Sequence, residues 1–207
     1  MELLKTKGSH QLPYLLIYLR LILGVFILCI SLTYPYTLKE VIVGCMLLGF
    51  LTDVFDGIIA RRLGIASDHL RKLDSVVDRI FWLLILLSIY LMYPVFIKSV
   101  CFKISLVLIL EIVVVLLCFF RFGKMPSPHN YLSKAWGCFV LLAFCEIVLF
   151  GHSVYLFNIM IVLGMISRIE SLLIYLLLNR WERDIPSFYH AYLLRQGINF
   201  KRSQLFN

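Results

Sequence analysis

Six mostly apolar stretches alternate with short polar segments along the 207-residue chain. Within each stretch the apolar residues run continuously instead of alternating with polar ones, which predicts membrane helices and not the strands of a barrel. A helix needs about 20 such residues to cross the hydrocarbon of a bilayer. The predicted spans cover approximately 13–33, 39–62, 70–93, 96–120, 132–150 and 154–179.

Both ends of the chain are more polar than the stretches between them. Residues 1–11 mix Lys5 and Lys7 with leucines, which predicts a short interfacial amphipathic segment. Residues 180–207 form a basic tail. We therefore expect an all-α integral membrane protein with six transmembrane helices, folded as a single membrane domain over 1–207.

Composition supports this class and excludes others. Hydrophobic residues make up 61% of the chain and charged residues only 15%, which is unlike a soluble domain. The net charge of +8 does not indicate nucleic-acid binding, because the basic residues lie at the predicted helix ends. Only Lys39, Lys98 and Lys103 fall on the predicted outer side, so the positive-inside rule places both termini in the cytoplasm.

Five of the twelve acidic residues lie between positions 53 and 78. Asp53 and Asp56 are three residues apart on the second helix, and Asp74 and Asp78 are four apart on the third, so each pair shares one helix face. A short connection makes the two helices antiparallel neighbours. We therefore expect four carboxylates to converge near the cytoplasmic interface.

Converging carboxylates repel one another and need cations when they are ionised. All-oxygen ligand sets favour hard divalent ions such as Mg²⁺ or Mn²⁺. Four carboxylates can hold two ions, an arrangement that clamps phosphoryl oxygens during a displacement. The predicted cofactor is therefore a pair of Mg²⁺ or Mn²⁺ ions bound by Asp53, Asp56, Asp74 and Asp78.

Small and basic residues accompany the aspartates. Gly57 and Ala60 share the face of Asp56, where they leave either a hollow for a flat ligand or a surface for close helix packing. Arg61 can either reach a phosphate or anchor the helix at the interface. Asp68 does not fit the two faces and precedes a helix, so we interpret it as an N-cap.

Other charged residues lie within the predicted spans. Arg20 either extends to the interface or points into a polar cavity. Lys134, Arg121 and Arg168 are candidates for binding a charged alcohol substrate. For Arg168 an internal ion pair, for example with Glu111 or Glu146, is an equally good interpretation.

The run from Asp53 to Arg61, followed by Asp74 and Asp78, resembles the signature of the CDP-alcohol phosphatidyltransferase family. That signature is D-x2-D-G-x2-A-R-x8-G-x3-D-x3-D, and seven of its eight fixed positions match with the family's spacing. The exception is the second glycine, where this chain has Leu70. A bulky residue there is expected to reshape the nucleotide pocket.

The resemblance implies a six-helix, divalent-metal-dependent membrane enzyme, usually a homodimer, with its site open to the cytoplasm. It implies transfer of a phosphatidyl group from a CDP-linked lipid, such as CDP-diacylglycerol, to an alcohol with release of CMP. Asp78 would be the general base as well as a metal ligand. The CDP moiety would be bound by Asp53, Gly57, Ala60 and Arg61. The expected location is a bacterial cell membrane.

The match is incomplete elsewhere, and other functions stay open. Pro13 and Arg20 fit the P-N-x-x-T-x-x-R pattern of relatives that use glycerol phosphate, but Tyr14 and Ile17 replace its Asn and Thr. Glycerol 3-phosphate, serine, inositol or its phosphate, and a second lipid are all possible acceptors. The alternatives are a degenerate lipid- or nucleotide-binding relative without catalysis and an aspartate-rich membrane prenyltransferase.

Overall fold

The computed structural model describes residues 11–63, 68–126, 130–182 and 185–198, without the side chains of 60–63, 68, 69, 71 and 72. All regular structure in these ranges is helical. The predicted interfacial segment at 1–11 lies almost wholly outside them. The helices are α1 (Leu12–Thr33), α2 (Lys39–Leu63), α3 (Asp68–Met92), α4 (Pro94–Phe122), α5 (Tyr131–Phe150), α6 (Tyr155–Leu177) and α7 (Phe188–Arg195).

The six predicted spans are confirmed as helices. Each of α1 to α6 contains a segment long and apolar enough to cross a membrane. Their ends agree with the predicted ends to within a few residues, because Pro13, Pro94 and the polar turns mark them clearly in the sequence. The chain is therefore a multi-pass, all-α membrane protein.

The chain divides into two compact units, which are Met1–Ile97 with Phe144–His152 and Lys98–Ala143 with Ser153–Asn207. In the first unit, α1 packs against both α2 and α3. Phe81 of α3 is 1% exposed and fills the space left by two glycines, Gly24 on α1 and Gly49 on α2. Small residues let helices approach closely where the bilayer gives no hydrophobic driving force between them.

Side chains satisfy the last backbone carbonyls of two helices in the same unit. The Tyr36 hydroxyl donates to Met92 O at 3.0 Å, and the Tyr93 hydroxyl donates to Val148 O at 3.0 Å. The Lys39 ammonium donates to Leu149 O at 3.2 Å. These carbonyls have no partner within their own helices, so the contacts compensate for the missing backbone donors and place positive charge at a helix C-terminus.

The second unit contains α6 and the short helix α7, which the sequence prediction treated as part of a polar tail. Ala191 of α7 is fully buried in an apolar cluster with Val114, Cys118 and Ile174. The helix ends at Arg195, and two residues later Gly197 has a φ of 80°, which is suited to glycine. Gly197 N–H donates to Leu194 O at 3.1 Å, a bond of the kind that closes a Schellman motif.

Gly49→Ala should destabilise the first unit, because a β-carbon there would overlap the ring of the buried Phe81. We expect a loss of about 1–3 kcal/mol in the free energy of unfolding, as for other overpacked cores. Thermal unfolding of the purified protein in detergent measures this loss. Gly44→Ala is the matched control, since nothing lies within 4 Å of its added β-carbon. Equal stability of the two variants would contradict the close packing of Phe81 on Gly49.

Candidate active site at the aspartate cluster

Three helices of the first unit bring charged side chains to one place. α2 supplies Asp53 and Asp56 and α3 supplies Asp74 and Asp78, each pair on one face as their spacing requires. α1 supplies Arg20, whose side chain is 0% exposed. The cluster therefore depends on α1 packing against both neighbouring helices.

Arg20 lies among all four carboxylates. Its Nη1 is 2.9 Å from Asp53 Oδ1, 3.0 Å from Asp74 Oδ1 and 3.8 Å from Asp78 Oδ1. Its Nη2 donates to Asp56 Oδ2. Of the two interpretations of Arg20 from the sequence, the structure supports the polar site and not extension to the interface.

The four carboxylates differ in their access to solvent. The Asp56 side chain is only 4% exposed, whereas those of Asp53, Asp74 and Asp78 are 37%, 35% and 36% exposed. Asp78 also makes the longest of the four contacts with Arg20. A ligand or ion can therefore approach the three outer carboxylates, with Asp56 and Arg20 forming the floor of the cluster.

The donor set suits a hard divalent ion. Carboxylate oxygens of Asp53, Asp56 and Asp74 lie within 4.8 Å of one another, close enough to share an ion. Oxygen-only ligands are those preferred by Mg²⁺ and Mn²⁺. The formal charge also favours cations, because four carboxylates and one guanidinium sum to −3. These residues fit a metal centre.

Leu70, at the position of the motif glycine, is a packing residue in this fold. It is 4% exposed and belongs to an apolar cluster with Ile17 of α1 and Val77 of α3. It therefore helps to hold α1, and with it Arg20, against α3 one turn before Asp74. The sequence did not indicate this contact, because it depends on how α1 lies against α3.

The structure describes only some of the side chains that were predicted to bind the nucleotide. Gly57 directly follows Asp56 on α2 and is partly exposed. Ala60 and Arg61 lie in α2, but their side chains are not among those that the structure describes. The side chain of Asp68, the first residue of α3, is also not among them, so the N-cap at Asp68 stays a prediction.

The three candidate acceptor-binding residues belong to the second unit. Arg168 is 6% exposed, forms an ion pair with Glu111, and lies with its Cζ 4.4 Å from the centre of the Trp136 ring. Arg121 donates from Nη2 to Leu178 O at 3.0 Å. Lys134 is exposed in the first turn of α5. The internal-pair interpretation of Arg168 is thus observed, with Glu111 as the partner.

Sequence reasoning missed a second polar group in this unit. Glu170 accepts a hydrogen bond from the Asn130 side chain at 2.6 Å and another from Phe188 N–H at 3.2 Å. It therefore links the residue before α5 to the first residue of α7. Ser133 on α5 and Ser167 on α6 are also hydrogen-bonded, at 2.8 Å. Acidic and small polar residues within apolar spans are the signal for such contacts.

Comparisons with known proteins agree with the geometry. The family model described as CDP-alcohol phosphatidyltransferase matches residues 10–178, a range that contains α1 to α6 and all of the clustered aspartates. No curated protein and no solved structure matches the chain. Since the family match covers well over half of the sequence, the chain belongs to the CDP-alcohol phosphatidyltransferase family, whose members are transferases of lipid synthesis.

Proposed function

We propose that this protein transfers a phosphatidyl group from a CDP-linked lipid, such as CDP-diacylglycerol, to an alcohol and releases CMP. The observation that carries the proposal is the convergence of four carboxylates from α2 and α3, three of them about one-third exposed. Family membership provides the reaction class, and the cluster provides a site with the right chemistry for it.

Asp53, Asp56, Asp74 and Asp78 would hold two Mg²⁺ or Mn²⁺ ions. When bound, the ions would neutralise the carboxylates and stabilise negative charge on the diphosphate oxygens of the donor. Asp53, Gly57, Ala60 and Arg61 would bind the CDP moiety. In this proposal the buried Asp56 and Arg20 form the rigid floor, and the more exposed carboxylates meet the substrates.

Asp78 is the proposed general base. Its carboxylate is 36% exposed and makes the longest of the four contacts with Arg20, at 3.8 Å. It would take the proton of the acceptor hydroxyl. The alcohol oxygen then forms a bond to the phosphorus next to the lipid, the bond from that phosphorus to CMP breaks, and CMP leaves with the electron pair.

The acceptor would be bound by Lys134, Arg121 and Arg168. These residues are basic, and basic side chains favour an acceptor that carries a phosphate. The ion pair between Arg168 and Glu111 makes Arg168 the most constrained of the three. Lys134 is exposed in the first turn of α5, where an acceptor could reach it.

The proposed assembly and location follow the family. We infer a homodimer in a bacterial cell membrane, with both termini and the aspartate cluster on the cytoplasmic side. The concentration of basic residues in the predicted inner loops supports this orientation. A non-catalytic lipid-binding relative is the second candidate, favoured by Leu70 in place of the motif glycine.

Purified protein should release CMP from CDP-diacylglycerol when Mn²⁺ or Mg²⁺ and an alcohol are present. A panel of glycerol 3-phosphate, serine, inositol and inositol phosphate identifies the acceptor, and EDTA should abolish release. Chromatography of the nucleotide products measures the amount of CMP released. Folded protein that binds the donor but releases no CMP with any acceptor would favour the non-catalytic candidate.

Asp78→Asn should lower turnover by about 10²–10⁴-fold, the usual contribution of a general base. Donor binding should persist, because the other three aspartates remain. Turnover and equilibrium binding of the CDP-linked lipid are measured in parallel. Glu40→Gln is the matched control, since Glu40 is an exposed acid in the first turn of α2. Normal turnover by Asp78→Asn would show that another group removes the proton.

Lys134→Gln should raise the KM for a phosphorylated acceptor roughly tenfold, the effect of losing one hydrogen bond to a charged group. Uncharged acceptors should be affected little, because they gain less from the ammonium. Steady-state kinetics with both kinds of acceptor measures the difference. Lys124→Gln is the control, as Lys124 lies over the Trp181 ring at 4.5 Å from its centre. An unchanged KM would exclude Lys134 from the acceptor site.

A further inference from the structure

Arg20 is surrounded by more negative charge than it can balance. Its two terminal nitrogens contact four carboxylates from two other helices, and its side chain is completely buried. Its Nε is buried with no hydrogen-bond partner among the described residues. A guanidinium that served only to join two helices would need a single carboxylate partner, as Arg168 has in Glu111.

The oxygens that Arg20 contacts belong to the same set that fits an ion. Asp53 Oδ1, Asp74 Oδ1 and Asp56 Oδ2 each contact the guanidinium, and these three residues are the ones whose oxygens lie within 4.8 Å of one another. The guanidinium thus provides, from the buried side, the positive charge that brings these oxygens together. Ions from solvent would approach from the exposed side.

We propose that Arg20 is a positioning residue that acts as the resident counter-cation of the aspartate cluster. It holds the four carboxylates in place before divalent ions bind and gives up part of its contacts when they do. The displacement of Arg20 by ions rests on the proposed metal-dependent function, whereas its positioning of the carboxylates does not require a metal.

The formal charges explain why the site would use both the Arg20 guanidinium and divalent ions. The metal-free cluster has a formal charge of −3, from four carboxylates and one guanidinium. Two divalent ions would bring the sum to about +1, which favours an anionic diphosphate. Without Arg20 the loaded site would be neutral and the empty site would carry a formal charge of −4.

The first test is done in EDTA, so that it depends on neither metal nor activity. Arg20→Met should lower the midpoint of thermal unfolding by on the order of 10 °C, because four carboxylates lose their shared cation. Arg79→Met is the matched control, as Arg79 is an exposed arginine on α3 next to Asp78. Equal midpoints for the two variants would overturn the proposal.

A double-mutant cycle separates the ion contacts from packing. Asp56→Asn alone should also lower the midpoint in EDTA, because it removes the one contact of Arg20 in which both side chains are buried. The double variant Arg20→Met with Asp56→Asn should be more stable than the sum of the two losses predicts. Additive losses would overturn the proposal, because they would show that Arg20 does not act through the carboxylates.

The response to Mn²⁺ tests the displacement. Binding should raise the midpoint of Arg20→Met more than that of the wild type, with half-saturation at about tenfold lower Mn²⁺, because no guanidinium competes. An equal or smaller response would overturn displacement. If Mn²⁺ does not change the midpoint of the wild type, the proposed metal site and the displacement of Arg20 are both overturned. The double-mutant cycle in EDTA still decides whether Arg20 positions the carboxylates.

Arg20→Lys keeps the test decisive if Arg20→Met does not fold. Lysine retains the charge but not the planar fork that reaches several carboxylates at once. Its midpoint in EDTA should fall below that of the wild type and should recover on addition of Mn²⁺. Wild-type stability together with a wild-type Mn²⁺ response would overturn the role of the guanidinium.

Discussion

The contact of one buried guanidinium with four carboxylates is the interaction on which the first unit depends. Complete burial of the Arg20 guanidinium is costly unless negative charge surrounds it, and four ionised carboxylates repel one another unless a cation lies among them. The three helices that carry these residues must therefore pack closely. Gly24 and Gly49 permit that packing by leaving space for Phe81. Leu70 extends the packing of α1 on α3 to the N-terminal turn of α3.

Local patterns were sufficient to predict the six membrane helices and the two pairs of aspartates. Continuous apolar runs gave the six spans, and spacings of three and four residues placed each Asp pair on one helix face. The partner of Arg20 could not be predicted in the same way. Whether it extends along α1 to the interface or turns toward α2 and α3 depends on the rotation of α1 against its neighbours, which side-chain periodicity within α1 does not determine.

The helix α7 was missed for a different reason. Ser187 before it and Gly197 after it are typical boundary residues, so the signals were present in the sequence. The basic character of the tail obscured them, because an eight-residue helix has a weak apolar pattern. Its stability comes from tertiary contacts, with Ala191 buried in the apolar cluster and Phe188 N–H bound to Glu170.

The two buried arginines differ in how far the chain itself balances their charge. Arg168 has one carboxylate partner, Glu111, and an aromatic ring beside it, so its charge is balanced by the chain itself. Arg20 has four carboxylate partners and leaves a formal charge of −3, so the chain alone does not balance the cluster. In the proposed function, cations from outside would supply the missing positive charge. Since three of the four carboxylates are partly exposed, the fold leaves open the side from which such cations, and then the diphosphate of the proposed donor, would arrive.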